Sequence, residues 1–288
     1  MNVLSIQSSV ALGHVGNSAA VFVLQRLGHE VWPIDTVVLS NHPAHGGARG
    51  RVTPAAEIEE LVRGLGERGV LRGCAAILTG YLGAADQGPV VRAAVAAVRA
   101  ANPDALWLLD PVIGDGHGAA GRVYVKPGIA EFLRDHAVPE ADILTPNGFE
   151  LGLLTGRSVD TAETALAAID GLRTRGAGRR PLVVATGLEL QGAPEASLTL
   201  LAVDDSGAWR VTVPRLDRAA HGAGDIFAAA FLGRHLHGAN LPDALAGAAA
   251  AVQAVLARSD RNSADLALIA AQDALVTPPE RFAPDRLR

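Results

Sequence analysis

The sequence predicts an α/β protein with a central, mostly parallel β-sheet covered by helices on both faces, in a single domain spanning residues 1–288. Three observations carry this. Short apolar runs alternate with segments of helical period almost from end to end, which is how repeated strand–helix units read. That alternation implies parallel strands buried on both faces. No stretch is rich enough in Pro, Gly or Ser to divide the chain in two. Residues 278–288 are polar and contain proline, and are expected to be loosely attached.

The elements follow in order. Residues 3–6 form a strand, 18–27 a helix stopped by Gly28, and 31–38 a β-branched strand. In 55–68, Ile58, Leu61, Val62 and Leu65 share one helical face. Strands are then expected at 75–79, 105–110, 142–144 and 182–186, alternating with helices at 86–101, 129–136 and 161–175. Residues 197–213 read as a hairpin turning at Asp204-Asp205-Ser206-Gly207. Helices at 225–237, 241–256 and 264–275 finish the chain.

Composition removes several functional classes. Of 25 basic residues, 24 are Arg and one is Lys126, so a lysine-dependent phosphate loop is excluded. A Schiff-base site on lysine is restricted to that single position. Cys74 stands alone, which forbids an intrachain disulfide and a cysteine zinc cluster. A net charge of −5 with 4% aromatics gives neither the basic footprint nor the stacking surface of a nucleic-acid binder. The alanine-rich stretch 244–256 is too short to span a bilayer and reads as a buried helix. The expected ligand is a small molecule, and the expected location, without a targeting segment, is the cytoplasm.

In open parallel sheets, ligands bind beyond the carboxyl ends of the strands. Polar residues collect there: Gln7-Ser8-Ser9, Gly13 to Asn17, Thr79-Gly80-Tyr81, Asp110 to Asp115, Thr145 to Glu150, and Thr186-Gly187. The sharpest motif is His221-Gly222-Ala223-Gly224-Asp225, a small-residue turn running into an apolar helix. Amides at such a helix start make an anion site, and Asp225 in the first turn stands where it could take a proton from a hydroxyl. Together these suit phosphoryl transfer to an alcohol. Asp225 could equally serve only as a helix cap. Asp110, Asp115 and Glu150 supply the hard oxygens that Mg²⁺ prefers, although Asp110 and Asp115 could be turn formers instead.

These residues resemble the pyridoxal kinases of the ribokinase-like superfamily, over residues 3–275. Gly222-Ala223-Gly224-Asp225 is similar to the superfamily's G-x-G-D signature. Ser5-Ile6-Gln7-Ser8 with Gly13-His14-Val15-Gly16-Asn17, and Ser40-Asn41-His42, resemble pyridoxal kinases more than sugar or hydroxymethylpyrimidine kinases. The resemblance implies that Asp225 is the catalytic base and Gly222, Ala223 and Gly224 the anion hole. It places Ser8, Pro43, Ala44, Tyr81 and Asp225 at the vitamer, Tyr81 against its ring. Asp110, Tyr124, Thr145, Glu150, Thr186, Val213 and Arg215 would line the ATP site, with 213–218 as a covering loop. Asp115 and Glu150 would serve Mg²⁺. ATP is the implied co-substrate, a monovalent cation is left open, and a homodimer is suggested.

One position departs from that pattern. Pro43 stands where the family usually offers threonine, and proline donates no hydrogen bond, so the preference among vitamers is left open. Two other readings remain. One is a ribokinase-like kinase for another alcohol, such as hydroxymethylpyrimidine or a sugar. The other is a vitamer-binding protein with little turnover. Lids are expected at 41–51 and near Arg215.

Overall fold

The computed structural model describes residues 1–116, 121–178, 180–217, 221–261, 263 and 265–288. Its chain runs β1 (Asn2–Leu12), α1 (Asn17–Arg26), β2 (Glu30–Asn41), β3 (Gly50–Val52), α2 (Ala55–Glu67), β4 (Cys74–Thr79), α3 (Gln87–Ala101) and β5 (Leu106–Leu109). It continues through β6 (Gly114–Asp115), β7 (Arg122–Val123), α4 (Ile129–Phe132), β8 (Ile143–Leu144), α5 (Gly148–Thr155), α6 (Ala162–Arg173) and β9 (Leu182–Leu188). It ends with β10 (Ser197–Asp204), β11 (Gly207–Pro214), α7 (Ala223–Leu236), α8 (Leu241–Arg258), α9 (Gln272–Val276) and β12 (Asp285–Arg286).

Among the described residues, ten strands form one sheet in the order β12-β11-β10-β9-β8-β5-β4-β1-β2-β3. The six from β9 to β2 are parallel, while β10 to β12 on one edge and β3 on the other run antiparallel. The expected mostly parallel sheet is therefore present. Strand alternation divides the core into two layers. Leu4, Ile6, Ile77, Trp107, Leu109 and Val183 pack against residues of α2 to α6 on one face. Val3, Leu78, Leu108, Ile143 and Val184 pack against α1, α7 and α8 on the other. Trp107 is fully buried, and its Nε1 donates to Thr79 Oγ1 at 2.8 Å, satisfying the indole.

Several elements differ from the sequence expectation. The run 129–136 is one α-turn, α4, followed by a π-turn over Leu133–Ala137. Of the helix expected at 264–275, only α9 forms, at 272–276; residue 264 lies outside the described residues. Arg218 of the covering stretch lies outside them too. Helix α5, β3, β6 and β7 were not foreseen, being too short to show a period. The tail expected to be loose pairs Arg286 with Trp209 and Asp285 with Arg210, and Arg288 meets Asp170 at 2.6 Å.

β1 carries the first consequence for the site. Its pairing with β4 stops at Ile6↔Thr79, while its pairing with β2 shifts register between Gln7 and Ser9 and runs on to Leu12. Ser8 therefore sits at an irregularity just past the end of β4, where one strand projects beyond its neighbour.

Candidate active site

Helix α7 begins at Ala223, so Gly222 is its N-cap, with φ 93° and ψ −7°. Only glycine adopts this conformation without strain. A Cβ on Gly222 would also lie 1.9 Å from the His14 carbonyl oxygen, whereas one on Gly224 would meet open space. The turn is thus locked against the loop after β1 on one side and open on the other. Its free helix-start amides point to where an anion can approach. Behind it, Ile226, Phe227 and Phe231 are buried, anchoring the helix by about 1.5–3 kcal/mol each.

Asp225 keeps some exposed surface, but its carboxyl is deep enough that burial pushes it up to about 6. The backbone amides of Gly16 and of Asp225 itself oppose the shift. It is not a simple cap: Gly222 is the N-cap residue, and no side chain caps the helix there. Asp110, 7% exposed at the end of β5, is pushed up to about 7 by burial first and then by Asp225, while the Thr145 hydroxyl donates to its Oδ1 at 3.1 Å. Asp110 thus feels the charge of Asp225, although 115 residues separate them in sequence.

Glu150 is buried in the first turn of α5 and raised well above its ordinary value, by burial and then by Asp110. Its Oε1 accepts from the N–H groups of Ile113 at 2.9 Å and Gly114 at 3.5 Å, and its Oε2 from Asn147 N–H at 2.9 Å. Asn147 returns the bond, its Oδ1 accepting from Glu150 N–H at 2.8 Å. This is a capping box. It ties the Asp110–Asp115 turn to α5, and Asn147 Nδ2 adds a bond to the Gly114 carbonyl at 2.9 Å.

The other expected residues are placed as follows. Ser8 is partly exposed and packs under Gly16, where a Cβ would be 2.1 Å from the Ser8 carbonyl oxygen. Tyr81 is partly buried just past β4, its phenol pushed up by burial, and its carbonyl accepts from Thr36 Oγ1 at 2.7 Å. Pro43 and Ala44 are exposed in a one-turn 3₁₀ helix that His42 caps through Nδ1. The His42 ring stacks on His221 with centroids 4.5 Å apart, and His45 Nε2 lies 3.6 Å from Asp265 Oδ1. The loop after β2 therefore rests against the residue preceding the glycine turn.

Of the residues expected at the nucleotide, Thr145 is buried and Thr186 partly exposed, the latter bridged to Asn147 beyond the paired region of β8 and β9. Tyr124 is 49% exposed, yet its hydroxyl is held above the ordinary value, by burial first and then by Glu150, Asp110, Asp115 and Asp225. Asp115 is exposed, its Oδ1 accepting from Gly116 N–H at 2.7 Å. Val213 is 4% exposed and packs in the sheet's second core layer, because alternation along β11 turns it inward. Arg215, past the strand end, is exposed and pairs with Glu189 at 2.5 Å. Among the described residues, no group of three or more His, Cys, Asp or Glu is arranged to cage a metal.

The phosphomethylpyrimidine kinase family profile matches residues 70–266. A pyridoxal kinase of Rubrobacter xylanophilus is 50% identical over 98% of this chain and 96% of its own length. This chain belongs to the pyridoxal kinase family. Another member, from Leifsonia xyli, is 43% identical over 100% of both chains. The solved pyridoxal kinase of Leishmania donovani, in complex with ADP and pyridoxamine, has a TM-score of 0.88 and 31% identity, covering 100% of this chain and 99% of that one. The ribokinase-like fold inferred from the motifs is the fold of this pyridoxal kinase family.

Two residues of the site escaped the sequence reading. Asn147 with Glu150 is a capping box whose Asn-x-x-Glu spacing is visible in the sequence. Asn17 was seen only as part of a motif, and nothing local shows that its side chain would be buried between two strands and a helix.

Proposed function

We infer that this protein transfers the γ-phosphoryl group of ATP to the 5′-hydroxyl of pyridoxal, giving pyridoxal 5′-phosphate and ADP. The observation that carries the reading is Asp225, held near 6 beside the open glycine turn of α7. It does so in a chain half identical to a pyridoxal kinase over its full length.

Asp225, ionised at neutral pH, takes the hydroxyl proton as the oxygen attacks phosphorus. A carboxyl near 6 is a better base than an ordinary one and is still ionised at pH 7. Amides of Gly222 to Gly224 hold the equatorial oxygens of the transferring group. Ser8 and Tyr81 hold the vitamer ring, and Pro43 and Ala44 line the loop above it. Asp110, Thr145, Glu150, Thr186 and Arg215 hold the nucleotide, and the Tyr124 hydroxyl faces the phosphates. Val213 supports this side from within the core.

The donor set suits Mg²⁺. It consists of hard carboxylate oxygens, the buried ones lack a partner cation among the described residues, and a Mg²⁺ ion arriving on phosphates needs only one or two protein carboxylates. Asp115 and Glu150 would hold it, and it would neutralise charge on the β- and γ-phosphates.

Supplying Mg·ATP with pyridoxal, hydroxymethylpyrimidine or ribose, and following the phosphate ester formed, tests the reading. Pyridoxal is expected to be the preferred acceptor; phosphorylation of ribose without pyridoxal would overturn it.

A further inference from the structure

β1 and β2 pair as Gln7↔Asp35 and then Ser9↔Val38, so Thr36 and Val37 of β2 stand opposite the single residue Ser8. This bulge breaks the alternation of β2, and Thr36 and Val37 are both buried. Thr36 Oγ1 donates to the Tyr81 carbonyl at 2.7 Å. The Thr36 carbonyl accepts from Thr53 N–H at 2.9 Å and from Gln87 Nε2 at 2.8 Å. Gln87, wholly buried as the first residue of α3, uses its amide in full. Its Nε2 also donates to the Thr53 carbonyl at 2.7 Å, and its Oε1 accepts from Gly83 N–H at 2.9 Å. Packing adds to these bonds. A Cβ on Gly83 would lie 2.4 Å from Val37 Cγ2 and 3.0 Å from Val52 Cγ1, so the loop after β4 is seated directly on the β2–β3 pair. A Cβ on Gly80 would lie 2.6 Å from Gln7 Oε1. Residues 80–83, Tyr81 among them, are gripped by β1 on one side and by the β2–β3 hairpin on the other.

We propose that Thr36 and Gln87 are positioning residues for the vitamer, acting through Tyr81. They fix the Tyr81 backbone against the same hairpin whose connecting segment carries Pro43 and Ala44, and so set the gap that the flat ring enters. This rests on the reading that Tyr81 meets the vitamer. Thr36 and Gln87 are wholly buried, so they act through the loop and not on the ligand. A buried polar network with its partners met is rigid, and a side chain held in place beforehand costs less ordering when the ligand arrives. Loosening Tyr81 therefore weakens pyridoxal binding in the ground and transition states alike, which raises KM and spares kcat. Asp110 and Thr145, which follow β5 and β8, take no part in these bonds, so KM for ATP should not change with it.

The experiment compares Thr36→Val, which removes the hydroxyl and keeps the shape, with Thr36→Ser, which keeps the hydroxyl and loses a methyl. Tyr81 and Tyr124 are the two tyrosines of the chain, so the full-length protein labelled with 3-fluorotyrosine gives one fluorine-19 signal for each, that of Tyr81 being the one lost in Tyr81→Phe. Without substrate, Thr36→Val and Gln87→Leu are expected to shift or broaden the Tyr81 signal and leave that of Tyr124 in place. With Mg·ATP, both should raise KM for pyridoxal about fivefold or more, with kcat and KM for ATP within about twofold of wild type. Thr36→Ser should stay within about twofold in all of these although it loses a buried methyl, an order that lost stability alone does not produce. An unmoved Tyr81 signal in Thr36→Val overturns the proposal. So does a KM for pyridoxal that rises as far in Thr36→Ser as in Thr36→Val, or a KM for ATP that rises with it. Gln87→Leu decides in the same way should Thr36→Val fail to fold. A wild-type Tyr81 signal that does not respond to pyridoxal would end the reading of Tyr81 at the vitamer, while the substrate-free signals would still decide whether Thr36 and Gln87 hold the loop.

Discussion

Replacing Asp110 by Asn should make the nucleotide-free protein more stable at alkaline pH, and by an amount that the structure sets. Asp110 is almost wholly buried and is held at about 7 instead of 3.8, because burial and the Asp225 charge both disfavour its ionised form. A carboxyl raised on folding binds more protons in the native state than in the unfolded one across that interval. Stability is then highest at low pH and falls as pH rises from about 4 to about 7, by about 1.4 kcal/mol per pH unit at most. Between pH 5 and pH 7 that amounts to about 2–3 kcal/mol, most of which Asn removes, since it carries no charge. Asn also keeps an Oδ1 to accept from the Thr145 hydroxyl, so little hydrogen bonding is lost. Relief of Glu150, which feels Asp110, adds in the same direction. Urea unfolding in EDTA at pH 5, 6, 7 and 8.5 measures this. Wild type should lose stability over the range, and Asp110→Asn should lose less and lie above it at pH 8.5. A variant less stable than wild type by the same amount at every pH would refute the reasoning, because the ionised carboxylate would then be compensated inside the fold.

Other predictions bear on catalysis and architecture. Asp225→Asn should remain folded and bind ATP while kcat falls by roughly 10²–10⁴; full activity would show that another group takes the proton. With Asp225 held near 6 and required ionised, kcat/KM for pyridoxal should fall about tenfold per pH unit below 6 and level off above it; a profile flat from pH 5 to 7 would contradict the assignment. Gly222→Ala should cost more than about 1 kcal/mol and most of the turnover, since the added methyl meets the His14 carbonyl and strains a positive φ; thermal melting checks the first and steady-state rates the second. Glu150→Ala should leave the Ile113, Gly114 and Asn147 amides without their acceptor, lowering melting temperature and raising KM for ATP more than KM for pyridoxal.

Much of the site was legible before any fold. The Gly222-to-Asp225 turn announces itself because an anion-binding helix start needs small residues and an acid within one turn, and both are local requirements. Asp110, Thr145 and Thr186 were legible because they directly follow apolar strands, and strand ends in such sheets face the ligand. The inward placing of Val213 was less legible. Being near a strand end did not say which face it occupies, and pairing in the β10–β11 hairpin turned it into the core. Glu150 carries a second role that proximity in sequence half conceals: it closes a local capping box and reaches across to the turn after β5.

The sequence by itself determined the alternation of strands and helices, the two-layer core and the glycine turn, because these depend on side-chain period and on local backbone sterics. It also determined, through a single lysine, that phosphates could not be held by a lysine loop. Only the tertiary structure decided the chemistry of the carboxyls. Asp110, Glu150 and Asp225 are far apart in the chain, and their raised values arise from burial once the sheet has assembled, with the charge of Asp225 adding at Asp110 and that of Asp110 at Glu150. The interlocking of Gly222 with His14 is likewise long-range, since a glycine shows in a sequence but the carbonyl filling its missing side chain does not.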